Sequence, residues 1–299
     1  MAITPSSVPV FILAGGLGTR LAEETGLRPK PMVEIGGIPI LVHLMRYYYS
    51  FGFNDFVICA GHLSHMIKDY FHRYEMITNH IEVDHRTNRS NQPRVFGHST
   101  AQERWRVRVI ETGSDAMTGA RVARALDTVA SADGKLPECF GLTYGDGLCN
   151  TDLHEELEFH QQHGKIGTVL GVKPVARFGE LALGSNNCVA GFVEKPASKH
   201  SFMNGGFFFF TSEFRRYLSS ETGCILEKSP LEQLAADGEM KMWPNKDFWQ
   251  CMDTLRDKMY LQELWESATC PWKRTRATEE EEEGARDDTT TIQRIANAD

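Results

Sequence analysis

No stretch of the 299-residue chain holds the roughly 18–20 consecutive apolar residues that a membrane helix needs. The N-terminal "MAITPSSVPVFILAGG" has no basic leader and reaches its glycines too soon for a signal peptide, so a cytoplasmic location is expected. A basic excess is also missing: the formal net charge is -8, which argues against a broad nucleic-acid footprint. Any polyanion bound here is small and held locally. The seven cysteines contain no CxxC pair, and an odd count suits reduced, mostly buried thiols rather than a disulfide framework or a zinc site. The eleven histidines contain no HExxH spacing, and a lone His43 reads as packing rather than as a ligand. Without repeats, no solenoid or β-helix is appended to the core.

What is present is a series of short apolar runs ending in glycine or polar turns: "VPVFILAGG", "DFVICAGH", "ECFGLTYGDG", "IGTVLGV" and "GFFFFT". They are too short for helices and read as buried strands. Between them, "PILVHLMRYYYSFG", "HLSHMIKDYFHRYE" and "TDLHEELEFHQQHG" read as helices, and "DTLRDKMYLQELWE" as a closing amphipathic one. Alternating strand and helix predicts an α/β fold, a three-layer α/β/α Rossmann-like sandwich. The strand-rich pattern beyond residue 166 predicts a mixed sheet with a small additional β lobe. A polar stretch within about residues 81–108 reads as a hairpin-like excursion or flexible loop. The acidic segment 273–299, with five consecutive glutamates, is expected to stay solvated and disordered, leaving 1–272 as one domain.

Chemistry gathers at a few turns. "LAGGLGTR" fits neither the P-loop GxxxxGK[ST] nor the dinucleotide GxGxxG pattern. It shares their physics, because glycines directly after a strand let backbone N–H groups approach phosphate or base closely. Arg20 adds a planar fork for phosphate oxygens and Lys30 a mobile point charge. "LTYGDG" puts Asp146 where an open α/β sheet binds its ligands, and hydrated Mg2+ wants one or two carboxylates beside phosphate oxygens. A partner acid, Asp253, stands in "FWQCMDTLRD" just before the last helix, where Asp253 or Thr254 could also serve as N-cap. Glu194 and Lys195 in "FVEKP", and Asn204 with Gly205 in "MNGGFFFF", suit a sugar phosphate and equally suit ordinary turns.

The order and combination of these segments resemble the sugar-1-phosphate nucleotidyltransferases. "LAGGLGTRL", "RPKPMVEIGGIPIL", "TYGDG", "RFG", "EKP", "NGGFF" and "FWQCMDTLRDK" follow the family's order from about Val8 to Trp272, and "KPMVEIGGIPIL", "ETGSDAMTGARV" and "MDTLRDKMYLQELWE" are similar to its cytidylyl branch. The resemblance implies transfer of a cytidylyl group from CTP to glucose 1-phosphate, with Mg2+ as cofactor, no nucleic-acid or membrane partner, and a homo-oligomeric assembly. It implies that Leu13, Gly15, Gly16, Gly18, Thr19 and Arg121 lie against the nucleotide and that Arg20 and Lys30 hold its triphosphate. It further implies Asp146 and Asp253 as metal ligands, and Glu194, Lys195, Asn204 and Gly205 around the sugar phosphate. Ala120 departs from the pattern, standing where the family carries a second glycine. Two alternatives stay open at this stage: use of UTP or dTTP, and a non-catalytic nucleotide-sugar sensor of the same fold.

Overall fold

The structure, a computed structural model, describes residues 3–84, 93–96, 103–173, 180–183, 185, 188–193 and 202–274. The first half runs β1 (Val10–Ala14), α1 (Ala22–Thr25), β2 (Glu34–Ile35), β3 (Ile38–Pro39), α2 (Ile40–Ser50), β4 (Asp55–Ala60), α3 (Ser64–His72) and α4 (Tyr74–Thr78). A hairpin follows, β5 (His80–Glu82) with β6 (Arg94–Phe96), and then β7 (Arg106–Glu111), α5 (Thr118–Asp133) and β8 (Cys139–Tyr144). The second half contains β9 (Gly147–Cys149), α6 (Leu153–His163), β10 (Gly167–Val172), β11 (Glu180–Leu183), β12 (Val189–Val193) and β13 (Met203–Thr211). It closes with α7 (Ser229–Ala236), β14 (Met240–Pro244), β15 (Trp249–Cys251) and α8 (Leu255–Glu266).

Seven strands form one sheet in the order β14-β10-β13-β8-β1-β4-β7, and only β13 runs against the rest. This is the mixed sheet expected. The β11–β12 pair supplies the small additional β element. Within the polar excursion β5 pairs antiparallel with β6, residues 85–92 and 97–102 lie outside the described residues, and the main sheet resumes at Arg106. The stretch "HLSHMIKDYFHRYE" is two helices, broken at Arg73, and not one.

Strand alternation sends successive side chains to opposite faces, which makes three layers. Val10, Ile12, Phe207 and Phe209 join one core with Leu44, Tyr48 and Leu157 of the helices on that side. Phe11, Leu13, Phe208 and Phe210 join the other with Val122, Leu126 and Leu234. Each of these fully buried phenylalanines contributes about 1.5–3 kcal/mol of transfer free energy. Local signals end the helices: Asp152 caps α6 by accepting from His154 N at 2.8 Å and Glu155 N at 3.0 Å, and Gly134 and Gly164 stop α5 and α6 in the left-handed region. His43 is core, as expected: it is buried, Nε2 donates to the Ile35 carbonyl at 2.8 Å, and burial pushes its pKa down to about 4.

One buried group is out of keeping with its surroundings. Glu156 of α6 is fully buried beneath the sheet, and neither carboxyl oxygen has a hydrogen-bond partner among the described residues. Burial pushes its pKa well up, so the folded protein keeps it protonated while the unfolded chain ionises it above about 4.3. Folding therefore takes up a proton, and this residue's contribution to stability falls as pH rises above that value. Glu156→Gln removes the linkage. Urea unfolding at acid, neutral and alkaline pH should show the variant gaining stability relative to the parent as pH rises, whereas parallel pH curves would refute the assignment.

Candidate active site

The strand order reverses between β1 and β8: the chain leaves β1 toward β4 and β7, then returns to β8 on the other side. A crevice opens at the carboxyl ends of strands at such a switch point. The loops that leave β1 and β8 meet there, with Gly145 N–H donating to Leu13 O at 3.0 Å. A cavity of about 380 Å³ lies at this edge, lined by Leu13, Gly15, Gly16, Gly18, Thr19, Arg20, Lys30, Arg121, Tyr144, Asp146 and Glu227 among others. Because β13 runs antiparallel, its beginning lies at this same edge, which is why Asn204 and Gly205 come near.

Four charged side chains from three segments converge. Lys30 Nζ donates to Asp253 Oδ1 at 2.6 Å and also to Asp146 Oδ2. Arg20 Nη1 reaches Asp253 Oδ2 at 2.5 Å. Burial works against the charge on Lys30, but the adjacent carboxylates of Asp146 and Asp253 outweigh it and hold the ammonium above its ordinary pKa. The side chains of Lys30, Asp146 and Asp253 are only 11%, 22% and 18% exposed, whereas Arg20 is 74% exposed and its ion pair adds little to stability.

Backbone pairing sets this convergence. β15 pairs antiparallel with β9, Cys251 opposite Gly147, and Met252 N–H donates to Asp146 O at 2.9 Å, so Asp253 stands beside Asp146. The cap of α8 is Thr254, in a reciprocal capping box with Asp257, which leaves the Asp253 carboxylate to pair with Arg20 and Lys30. Lys30 is held by its neighbour Pro31, which packs so closely on Gly145 that an added Cβ would meet Pro31 Cγ at 3.0 Å. Lys258 of α8 pairs with Glu24 of α1, tying down the loop that separates Arg20 from Lys30.

The glycine loop has its own support. Arg121 is buried, and its Nη atoms donate to Gly15 O at 2.8 Å, Gly113 O at 2.6 Å and Thr112 Oγ1 at 2.9 Å. A Cβ on Gly15 would lie 2.2 Å from Arg121 Nη1, so only glycine admits this strut. Arg121 thus borders the cavity while its donors brace the loop, and the burial lowers its pKa. Ala120, the departure from the family pattern, is fully buried inside α5, and its N–H donates to Cys224 O at 3.1 Å. Met117 N–H donates to Thr222 O at 2.9 Å, so part of this helix start is closed by the 222–224 segment.

The structure adds residues that sequence reasoning missed. Tyr144 donates to Glu227 Oε1 at 2.7 Å, and Thr118 donates to Glu227 Oε2 at 2.7 Å. Tyr144 was within reach, sitting inside "TYGDG"; Glu227 in "LEKSP" carries no local signal at all. Glu194 and Lys195 lie outside the described residues.

Two cations and two carboxylates thus meet beside the crevice at the switch point. The chain belongs to the nucleotidyl transferase family, whose pattern it matches over residues 9–254. It is 41% identical over 262 residues to a glucose-1-phosphate cytidylyltransferase of Salmonella typhimurium, spanning 88% of this chain and 97% of that one. A glucose-1-phosphate cytidylyltransferase of Salmonella typhi matches equally. Among solved structures, HddC from Yersinia pseudotuberculosis complexed with GMP-PN superposes with a TM-score of 0.58 over 87% of this chain and 100% of that one; at 21% identity this likeness is one of fold. No helix among the described residues is long and apolar enough to cross a membrane.

Proposed function

We propose that the protein transfers a cytidylyl group from CTP to α-D-glucose 1-phosphate, giving CDP-glucose and pyrophosphate. The observation that carries this reading is the meeting of Arg20, Lys30, Asp146 and Asp253 beside one crevice, together with near full-length similarity to enzymes named for that reaction. A phosphate oxygen of the sugar phosphate attacks the α-phosphorus of CTP. A new P–O bond forms there, and the bond to the β-phosphate bridging oxygen breaks, releasing pyrophosphate. No covalent enzyme intermediate is required.

Two anions must be brought together, so the work of the protein is positioning and charge neutralisation. Arg20, exposed and planar, suits phosphate oxygens at the mouth, and Lys30 suits the charge that develops on the transferring and leaving phosphates. Asp146 and Asp253 fit a divalent cation: both carboxylates lie within hydrogen-bonding reach of one point, the Lys30 ammonium, and a hydrated Mg2+ asks for one or two carboxylates with phosphate completing its shell. When bound, Mg2+ supplies neutralisation of phosphate charge. Homo-oligomeric assembly belongs to the same reading.

The test is to supply Mg2+ and glucose 1-phosphate with each nucleoside triphosphate in turn and to measure pyrophosphate. Release with CTP is expected. Preference for UTP or dTTP would move the reading to those bases, and silence with all of them would overturn it.

A further inference from the structure

In the cavity lining, Glu227 accepts from Tyr144 and from Thr118 through separate carboxylate oxygens. Both hydroxyls donate to the carboxylate, one to each of its oxygens. Thr118 Oγ1 in turn accepts from Leu226 N at 2.9 Å, which fixes that side of the carboxylate to the backbone. With its proton committed to Glu227, the Tyr144 oxygen presents a lone pair, and Asn204 Nδ2 donates to it at 3.3 Å. Asn204 Oδ1 is occupied by Gly206 N–H at 2.8 Å, a contact made within the bulge where Gly206 and Phe207 take positive φ. The amide is thereby oriented at both ends, and the remaining amide hydrogen of Nδ2 is what Asn204 can offer a ligand.

We infer that Glu227 and Tyr144 are positioning residues that act through Asn204, making it a hydrogen-bond donor toward a sugar hydroxyl oxygen. The assignment of the ligand rests on the proposed function, while the relay itself does not. The hydrogen bonds are in part solvent-exposed, so their effect is on orientation and selectivity more than on stability.

Two measurements test the inference, one independent of substrate. In Tyr144→Phe and Glu227→Gln, the side-chain amide resonance of Asn204 should shift and exchange faster with water. An unchanged Asn204 amide in both variants, with melting temperature retained, would overturn the relay whatever the protein's substrate. The second measurement is kinetic. With glucose 1-phosphate, Tyr144→Phe should raise the sugar KM about tenfold, as expected for loss of one oriented hydrogen bond, with much smaller effects on the CTP KM and on kcat. Among monodeoxy analogues of glucose 1-phosphate, the parent should penalise one in particular, and that penalty should vanish in Tyr144→Phe and Asn204→Ala alike. The double variant should be no worse than Asn204→Ala alone. Equal losses on every analogue and on CTP would mean a merely structural tyrosine. If the unaltered protein turns over no sugar phosphate with CTP, the functional reading fails, and the amide measurement still decides the relay.

Discussion

Asp146→Asn is expected to lower kcat by about 10³-fold while leaving the fold intact, an effect of the size seen when one preorganised charged group is removed from a reacting centre. The expectation rests on the place of Asp146: it follows β8 at the switch point, and its carboxylate and that of Asp253 face one ammonium. Asparagine keeps the shape and one acceptor but removes the charge that balances Lys30 and suits a divalent cation. Circular dichroism and melting temperature should match the parent within a few degrees, since the side chain is partly exposed and outside both cores. Near-normal pyrophosphate release by this variant would remove Asp146 from the reaction.

Lys30→Ala should cost about 10²–10³-fold in kcat, again by loss of charge stabilisation at the phosphates. Its effect on stability has a sign that depends on the medium. Without the ammonium, Asp146 and Asp253 face each other as like charges, which destabilises the fold modestly in metal-free buffer. The melting temperature should drop by a few degrees, and Mg2+ should restore it more in the variant than in the parent, where Lys30 already neutralises the pair. A large stability loss that Mg2+ does not touch, with kcat reduced only in proportion, would make Lys30 a structural lysine.

The parts of this site that were legible in the sequence are those where local chemistry is constrained. Glycines directly after an apolar strand, an aspartate between glycines, and an aspartate ahead of a helix each leave a mark of a few residues, and the structure places all three at one edge. Asp253 also showed how a competing role resolves: the N-cap went to Thr254, because Asp257 three residues on completes a capping box. Other features depend on contacts far apart in the chain. Nothing local says that "NGGFFFF" inserts antiparallel between two parallel strands, yet that reversal alone brings Asn204 to the carboxyl edge. Arg121 carries a charge that the family resemblance assigns to the nucleotide, and only the fold shows its donors turned to the carbonyls of Gly15 and Gly113. Glu227 is invisible for the same reason, since its partners Thr118 and Tyr144 lie 109 and 83 residues away.

The most direct measurement is a crystal structure of the protein with Mg2+ and a non-reactive CTP analogue. The triphosphate is expected against Arg20 and Lys30, the glycine loop along the nucleotide, and a cation shared by Asp146 and Asp253. A triphosphate seated elsewhere, with Lys30 still paired to both aspartates, would contradict that arrangement.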